Sequence, residues 1–319
     1  MDSMNISSVQ TQFGTWVRFD KFRRAARAGL HGRNAYEMDN ILSRLMLSLH
    51  NNIPWEETKA KASAELIEKR IRKHLPYEML TADISTGDPK ITVCGDADTT
   101  NTTDTTNTTM ICIHDGKYRF GFKLLTTRFN ELKSRCDSID EIAKMLMRYD
   151  IVMCHTGQFW GMPARMWELL VSKYGAEYEG FACPLNSNLP RFFSLFPEDD
   201  VFGGLGDFFE ATGPGVYVAN PPYIESIMER AVEKILMMLR GDPCVFFMLL
   251  PNWRDSSPIM ALSACEYVRA DIVLKKGQHV VRNYIGDMNI TANFENALLV
   301  LSNHDIDIDI DELRAAHQC

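Results

Sequence analysis

The sequence predicts an α/β fold in which helices cover both faces of a mostly parallel sheet, with a small helical domain before it. The second half of the 319-residue chain alternates short β-prone runs with helical stretches, an order that is typical of βαβ units. The first part instead repeats apolar residues at helical spacing. Hydrophobic residues make up 45% of the chain, which is enough to bury a sizeable core.

The helical domain is expected at residues 16–114. Its clearest helix places apolar side chains at the i, i+3, i+4 and i+7 spacing of one buried face, and these are Met38, Ile41, Leu42, Leu45, Met46 and Leu49. A further helix is predicted over residues 56–74, because this stretch is rich in helix formers and ends in basic residues before Pro76.

Three polar segments are expected to lie outside the packed layers. Residues 1–15 are predicted to be flexible. Residues 99–109 read TTNTTDTTNTT, a tract that cannot bury apolar surface and is predicted to be a disordered loop. Residues 304–319 contain five acidic side chains between Asp305 and Glu312 and are predicted to form a solvated acidic tail.

The α/β domain is assigned to residues 115–303, and Asp115-Gly116 predicts a hairpin turn at its start. Strands are predicted at residues 91–94, 110–113, 118–122, 178–183, 215–219, 244–250, 272–274 and 297–301. Helices are predicted at residues 128–135, 139–149, 163–174, 189–196 and 224–240. The final strands are expected to supply an antiparallel edge.

Several function classes are disfavoured by the residue totals. The longest apolar run, residues 244–250, is too short to span a bilayer, and the N-terminus has no secretory signal pattern. We therefore expect an intracellular protein, nuclear or cytoplasmic, without a membrane partner. The eight cysteines form no C-x-x-C pair and no two histidines are spaced as ligands, so no metal site is expected.

The charge pattern is divided. A net charge of −8 counts against a nucleic-acid ligand at the level of totals. However, six Lys or Arg residues lie between Arg18 and Arg33, against the single acid Asp20. This cluster predicts either an exposed helix face or a phosphate-binding surface.

The most distinctive motif is Asn220-Pro221-Pro222-Tyr223, which follows the apolar run 215–219 and precedes a predicted helix. Ligands of open α/β sheets bind outside the carboxyl ends of strands, so Asn220 is expected where chemistry takes place. A proline-rich turn without function is the alternative, but the position between strand and helix favours function.

This motif suits the activation of an adenine amino group, whose lone pair is delocalised into the ring. The side-chain oxygen of Asn220 and the carbonyl of Pro221 can accept its two hydrogens and favour a pyramidal nitrogen. Prolines such as Pro222 fix φ and offer carbonyls without competing N–H groups. The ring of Tyr223 can stack on the base, which contributes about 1–3 kcal/mol. These four residues are the predicted catalytic set, and no metal is required.

A candidate cofactor loop follows an earlier strand at Pro184, Leu185 and Asn186. It lacks a glycine-rich turn, and Asn186 is either a cofactor contact or a helix cap. A glycine-rich stretch precedes Asp207, which is slightly favoured over two earlier aspartates to hold ribose hydroxyls.

Several stretches together resemble one family. In order they are Gly161-Met162-Pro163, residues 179–186, Phe202-Gly203, the Asn220 motif and Pro251-Asn252-Trp253-Arg254. This combination resembles the catalytic core of the phosphorylated CTD interacting factor 1 family, which are cap-specific adenosine N6-methyltransferases. The resemblance covers about residues 128–303, and the preceding segment is similar in character to the family's helical domain.

The resemblance implies a Rossmann-like methyltransferase sheet, S-adenosylmethionine as cofactor and capped RNA as partner. The implied substrate is the 2′-O-methyladenosine beside the 7-methylguanosine cap, and the product is its N6-methyl form. Asn220 and Pro221 carry over to the amino group, Tyr223 carries over to base stacking, and Asn220 is also expected to border the cofactor.

Further substrate contacts are expected from the same resemblance. Trp253 follows a strand and is expected either to wall the cap or base pocket, with Arg254 beside it, or to be a buried structural side chain. A basic groove between the two domains would receive the cap, and its candidate residues are Arg23, Arg24 and Arg27.

Two departures from the family pattern restrict what the resemblance implies. The family usually has Phe at the position of Tyr223, a mild change because both rings stack. No WW module is expected, because Trp16 and Trp55 are too far apart in the sequence. Docking to the phosphorylated polymerase tail is therefore not implied.

Three alternatives stay open. The first is an adenine-N6 methyltransferase acting on other RNA or DNA, and the second is a protein glutamine methyltransferase, which uses the same motif. The third is an inactive methyltransferase fold that binds RNA as a scaffold. The sequence leaves the oligomeric state and the number of methyl groups added open.

Overall fold

The computed structural model describes residues 8–50, 53–95, 108–153, 159–285 and 287–318. By its internal contacts the chain divides into two compact units, Met1–Gln158 and Phe159–Cys319. Among the described residues, no helix has both the length and the apolar character needed to cross a membrane. Nor does this part of the chain contain a group of three His, Cys, Asp or Glu residues placed to hold a metal ion.

The first unit contains helices and a small sheet. Its helices are α1 (Val9–Arg27), α2 (Gly32–His50), α3 (Trp55–Glu68), α4 (Thr126–Arg135) and α5 (Ile139–Val152). The face of α2 that the sequence predicted is buried, since Met38 and Leu42 have no exposed surface. Helix α1 packs against α5 and begins at Ser8, whose hydroxyl accepts the N–H of Thr11.

The sheet of the first unit is antiparallel, in the order β1 (Lys90–Gly95), β2 (Thr108–His114) and β3 (Arg119–Leu125). The predicted hairpin turn joins β2 to β3. The carboxylate of Asp115 accepts the N–H groups of Lys117 at 2.9 Å and Tyr118 at 2.7 Å, which closes this turn.

The first unit differs from the sequence prediction at its edges. The predicted boundary at 114/115 would cut the hairpin of β2 and β3, and the two units instead meet between Gln158 and Phe159. Residues 9–15 belong to α1 and are not flexible, while residues 1–7 lie outside the described residues.

Two further segments of the first unit differ from their predicted extents. Thr108 and Thr109 of the predicted disordered loop are buried in β2, and the rest of that loop lies outside the described residues. The helix predicted over residues 56–74 ends at Glu68, because the backbone turns at Arg70 with a φ of 55°.

The second unit is a mixed α/β layer. Its strands are β4 (Trp160–Gly161), β5 (Tyr178–Gly180), β6 (Gly215–Ala219), β7 (Cys244–Pro251), β8 (Val268–Leu274), β9 (Val280–Asn283), β10 (Met288–Thr291) and β11 (Asn296–Ser302). Its helices are α6 (Ala164–Tyr174), α7 (Glu225–Gly241), α8 (Ser257–Ser263) and α9 (Ile310–Ala316). Strands β4, β9 and β10 form a small antiparallel sheet.

The main sheet has the order β5-β6-β7-β11-β8, and β5, β6 and β7 are parallel. Strand β11 is antiparallel to both neighbours, so the predicted antiparallel piece lies inside the sheet, not at its edge. Alternate residues of β7 enter two different cores. Phe246 packs with α7 and α8, whereas Phe247 packs with α6 and α9. Helices therefore cover both faces.

Residues 189–196 do not form the predicted helix. Phe192 lies fully buried in an extended segment and makes parallel bridges to Glu179 on one side and Gly204 on the other. Burial of the large ring between these neighbours outweighs the local helical pattern. Strand β5 is also shorter than predicted, because its extended course ends at Phe181, which has a φ of 62°.

The predicted acidic tail is partly folded. Its carboxylates are exposed, but α9 buries Leu313 and Ala316 against the sheet. Asp309 caps this helix by accepting the N–H of Glu312, and Lys173 pairs with both carboxylates. Composition alone overlooked the apolar residues interspersed among the acids.

Candidate active site

The topology of the second unit places a crevice at the end of β6. From β5 the chain runs outward through Phe192 and Gly204, and it then returns to form β6 on the opposite side of β5. Strand order thus reverses between β5 and β6, and ligands of open α/β sheets bind at such a switch point. Asn220 directly follows β6 and therefore lies at this crevice.

A narrow pocket with an interior volume of about 20 Å³ occupies the crevice. Its polar lining is dominated by amide side chains and buried oxygens. The lining includes Gly161, Glu179, Asn186, Asn188, Asn220 and Tyr284. No Lys or Arg is found among its described lining residues.

The amide of Asn220 is held on one side only. Its Nδ2 donates to the carbonyl oxygen of Trp160 at 3.3 Å. Its Oδ1 is buried and has no hydrogen-bond partner among the described residues. A Cβ on Gly161 would lie 3.2 Å from the ring of Tyr284, so a side chain at position 161 would crowd that ring. The structure therefore contains a buried, unused acceptor at the predicted catalytic position.

The two prolines make a rigid turn into α7. Pro221 is buried, and the carbonyl oxygen of Pro222 accepts the N–H of Ile224 at 2.7 Å. Ile224 then precedes the first residue of the helix, close to the predicted start. The motif is thus fixed between a sheet strand and a helix.

Tyr223 is half-buried beside the core that α7 and α8 share with the sheet. Its hydroxyl accepts a hydrogen bond from Nδ2 of Asn296 at 2.8 Å. Burial raises the pKa of the Tyr223 hydroxyl, so the phenol stays neutral near neutral pH. This side chain can offer an aromatic surface but does not act as a base.

The predicted cofactor loop forms a tight turn after β5. Pro184 and Leu185 are buried, and Oδ1 of Asn186 accepts the N–H of Cys183 at 2.8 Å. No helix begins at Asn186, so the predicted helix cap is wrong, and its side-chain oxygen instead closes the turn from Cys183. The residue still lines the pocket.

Three polar residues that the sequence did not single out support this loop. The buried carboxylate of Glu179 accepts the backbone N–H groups of Asn188 at 2.6 Å and Leu189 at 3.2 Å. The hydroxyl of Tyr284 lies 2.9 Å from Oδ1 of Asn188 and 2.8 Å from the carbonyl oxygen of Met162. These contacts hold the loop, β4 and β5 together around the pocket.

Backbone strain is concentrated at the end of β5. Phe181 adopts the left-handed region, which costs a residue other than glycine about 1–3 kcal/mol. Its ring packs on Phe208 with centroids 4.6 Å apart. Gly180 is equally constrained, because a Cβ there would lie 2.9 Å from the Phe208 ring. This aromatic contact holds the strained corner beside the pocket.

Comparison with known proteins identifies the family. A family model described as the phosphorylated CTD interacting factor 1 WW domain matches residues 124–284, about half of the chain. The chain belongs to the phosphorylated CTD interacting factor 1 family. The matched residues include the Asn220 motif but neither Trp16 nor Trp55, so the expected absence of a WW module stays a prediction.

Two curated relatives carry the name mRNA (2′-O-methyladenosine-N(6)-)-methyltransferase. The mouse protein is 32% identical and the human protein 31% identical over 135 residues, which is 40% of this chain. The aligned part spans 19% of each relative's own length. A crystal structure of a Thermoplasma acidophilum protein covers 56% of this chain and 98% of its own, at 12% identity and a TM-score of 0.27. That score establishes no common fold.

The substrate residues implied by the family lie in different environments. Trp253 is 45% exposed, so it is not a buried structural side chain. Arg254 is bound by Asp271, with N–O distances of 2.5 and 2.8 Å, and by Oδ1 of Asn252 at 2.5 Å. Asp207 is exposed, caps a short turn through the N–H of Phe209 and does not line the pocket. The structure brings neither Arg254 nor Asp207 to the pocket beside Asn220.

The three arginines proposed for the cap lie on α1 of the first unit, and each is paired with an acid. Arg23 contacts Asp20 at 3.3 Å and Asp150 at 3.4 Å. Arg24 contacts Asp20 at 2.7 Å, and Arg27 contacts Asp39 at 3.4 Å. The three arginines therefore form ion pairs with carboxylates that lie one helical turn away on α1 or far away in the sequence.

A different basic surface is present after α3. Residues 70–75 border an open groove with about 1100 Å³ of free space, solvent included. Within the described part of the chain, Arg70 and Arg72 are exposed and form no ion pair, while the floor is apolar, with Ile71 and Leu75 buried. Sequence analysis missed this groove because the segment was assigned to a helix.

Proposed function

We propose that this protein is an S-adenosylmethionine-dependent methyltransferase that modifies N6 of the adenosine next to an mRNA cap. The buried, unpartnered Oδ1 of Asn220 at the switch point of the sheet carries this proposal. The substrate is taken from the names of the two curated relatives, which extend well beyond the aligned residues.

A Rossmann-like methyltransferase sheet in the second unit is part of the proposal. It is supported by the sequence of parallel positions from Gly204 through Phe192, β5 and β6 to β7. In a doubly wound sheet this corresponds to the order 3-2-1-4-5. The helices of the first unit would then form the accompanying helical domain, together with a small sheet.

The chain's own groups account for activation of the acceptor. Oδ1 of Asn220 would accept one N–H of the adenine amino group, and the carbonyl oxygen of Pro221 would accept the other. Both acceptors are fixed by the turn into α7, so they stabilise the positive charge that develops on nitrogen without first reorganising. Removal of one oxyanion-type hydrogen-bond partner typically costs about 10²–10³ in rate, which sets the scale for Asn220.

The side chains that line the pocket also suit a cationic methyl donor. S-adenosylmethionine, when bound, supplies an electrophilic methyl group. The loop of Pro184, Leu185 and Asn186 would hold it, with Asn220 at its methyl end. The fit rests on the lining, which includes the buried carboxylate of Glu179 and amide oxygens, with no cationic side chain among its described residues. A sulfonium and an ammonium group are favoured by such surroundings.

RNA phosphates would be bound by the groove after α3. Arg70 and Arg72 are free of ion pairs within the described residues, whereas the α1 arginines have carboxylate partners. Cations that must first break an ion pair gain less from a phosphate than free cations do. The structure thus favours Arg70 and Arg72 over Arg23, Arg24 and Arg27 as phosphate contacts. An mRNA substrate also agrees with an intracellular location.

Mass spectrometry of RNA after incubation with the methyl donor tests the proposal. Capped RNA beginning with 2′-O-methyladenosine is expected to gain one N6-methyl group, and uncapped RNA with the same sequence is expected to gain far less. Equal methylation of both RNAs would replace the cap-specific function by a general adenine-N6 activity. Failure to bind the donor in calorimetry would favour the scaffold alternative.

A further inference from the structure

A chain of hydrogen bonds runs from Tyr223 into the protein interior. The hydroxyl of Tyr223 accepts a hydrogen bond from Nδ2 of Asn296 at 2.8 Å. Asn296 is the first residue of β11, and its side chain is fully buried. The hydroxyl end of Tyr223 is therefore tied directly to the main sheet.

The other contacts of Asn296 fix the orientation of its amide. Nδ2 lies 3.0 Å from the carbonyl oxygen of Leu250, which can only accept a hydrogen bond. Oδ1 consequently faces His279, whose Nε2 is 2.9 Å away. A flipped amide would place Oδ1 against the Leu250 oxygen and would leave two acceptors facing each other. The contact that reaches Tyr223 is thus a donor by necessity.

His279 completes this network. Its ring is buried, and Nδ1 lies 2.9 Å from the carbonyl oxygen of Lys275. Nε2 faces Oδ1 of Asn296, which is an acceptor, so Nε2 is the atom that carries the hydrogen of this contact. A hydrogen on Nε2 holds Asn296 in the orientation that donates to Tyr223.

We infer that Asn296 is a positioning residue, which holds the ring of Tyr223 as a fixed platform for the acceptor base and is itself held by His279. The inference rests on the proposed function, in which the base stacks on Tyr223. Methyl transfer requires the amino nitrogen to lie in line with the methyl group, and small displacements lower the rate. Asn296 therefore acts through Tyr223 and not on the base.

A double-mutant cycle separates positioning from simple structural support. Tyr223→Phe removes only the hydroxyl, and Asn296→Leu keeps the branching at Cγ but removes the polar atoms of the amide. Each change is expected to lower kcat for capped RNA about tenfold, which is a coupling within the range for groups in contact. KM for the methyl donor should stay unchanged. The double variant should be no slower than Asn296→Leu alone, because both changes break the same contact.

Two results would overturn the inference. Effects on kcat that multiply in the double variant would show that Asn296 does not act through the Tyr223 hydroxyl. The second concerns the full chain with isotope-labelled histidine, in which NMR should show a His279 Nε2–H protected from exchange. Its absence would remove the lock on Asn296. If the wild-type protein methylates no RNA, the proposed function fails, while the NMR experiment still decides the network.

Discussion

The pocket of the second unit and the basic groove of the first unit differ in the burial and pairing of their polar side chains. Around the pocket, Asn220, Glu179 and Asn188 are at least partly buried, and most of their polar atoms are bound within the protein. In the groove, Arg70 and Arg72 are exposed and, within the described residues, form no ion pair. Buried polar groups can fix the orientation of a ligand. Exposed charges attract a ligand from a distance, and salt weakens this attraction.

Substitutions in the two regions should therefore have different measurable effects. A substitution at the pocket is expected to change the rate of reaction or the stability of the second unit, with little dependence on salt. A substitution in the groove is expected to change RNA affinity, and this effect should shrink as ionic strength rises. The experiments below test this contrast.

The largest effect is expected at Asn220. Asn220→Ala removes the buried Oδ1 that has no partner at the end of β6, so methyl transfer should fall about 10²–10³-fold. The fold should survive, because the side chain makes a single hydrogen bond of 3.3 Å. Rates come from a radiolabelled-donor assay, and circular dichroism provides the control. A variant that retains the wild-type rate at any salt concentration would remove Asn220 from the mechanism.

The second unit should also lose stability as pH falls. Burial, followed by the charge of nearby His279, lowers the pKa of His317 to about 4. The unfolded chain has a His pKa of about 6.5, so between these values it binds a proton that the folded chain does not. The free energy of unfolding should therefore decrease by about 1.4 kcal/mol per pH unit over this window.

Denaturant unfolding of the wild type and His317→Leu at a series of pH values checks this expectation. The stability difference between the two proteins should change across the window from about pH 6.5 to about pH 4 and stay constant above it. Parallel curves would show that the His317 ring titrates normally despite its complete burial.

A smaller loss of stability is expected at the strained end of β5. Gly180→Ala would push a methyl group to 2.9 Å from the Phe208 ring, which should destabilise the protein by about 1–3 kcal/mol. Gly241→Ala at the end of α7 is the matched control, since a Cβ there meets nothing within 4 Å. Thermal unfolding measures both. Equal melting temperatures would indicate that the corner relaxes and that the pocket is not rigid.

The smallest effect is expected in the groove. The double change Arg70→Glu and Arg72→Glu should weaken RNA binding about tenfold near physiological salt and reduce the slope of log K against log salt by about 0.7 per lost contact. Donor binding should be unaffected. Arg24→Glu with Arg27→Glu is the control of equal charge, and fluorescence anisotropy measures both. A larger loss in the control would return the phosphate site to α1.

The strands of the second unit could be predicted because their burial leaves a plain pattern. The apolar runs 215–219 and 244–250 became β6 and β7, which are covered on both faces and therefore read as continuous hydrophobic stretches. The position of Asn220 followed from the first of them. Family membership, predicted from ordered stretches, was confirmed by the match over residues 124–284.

The missed features depend on contacts between distant stretches. Nothing local marks Tyr284 or Asn188, which contact each other at the pocket although they are 96 positions apart in the chain. The helix prediction at residues 189–196 is wrong because Phe192 instead forms bridges to Glu179 and Gly204 at the edge of the sheet. Charge counts around Arg27 could not show that Asp39 already neutralises it. Sequence patterns report which side chains are apolar but not which polar groups are already paired.

The reversed direction of β11 has a consequence for how the neighbourhood of Asn220 can tolerate change. The first residue of β11, Asn296, lies at the same end of the sheet as the last residue of β7. Pairing with β7 on one side and β8 on the other fixes the register of β11. A slip of one position would turn every side chain of this buried strand to the wrong face. The amide that reaches Tyr223 is therefore held in place by the pairing of β11 with both of its neighbours.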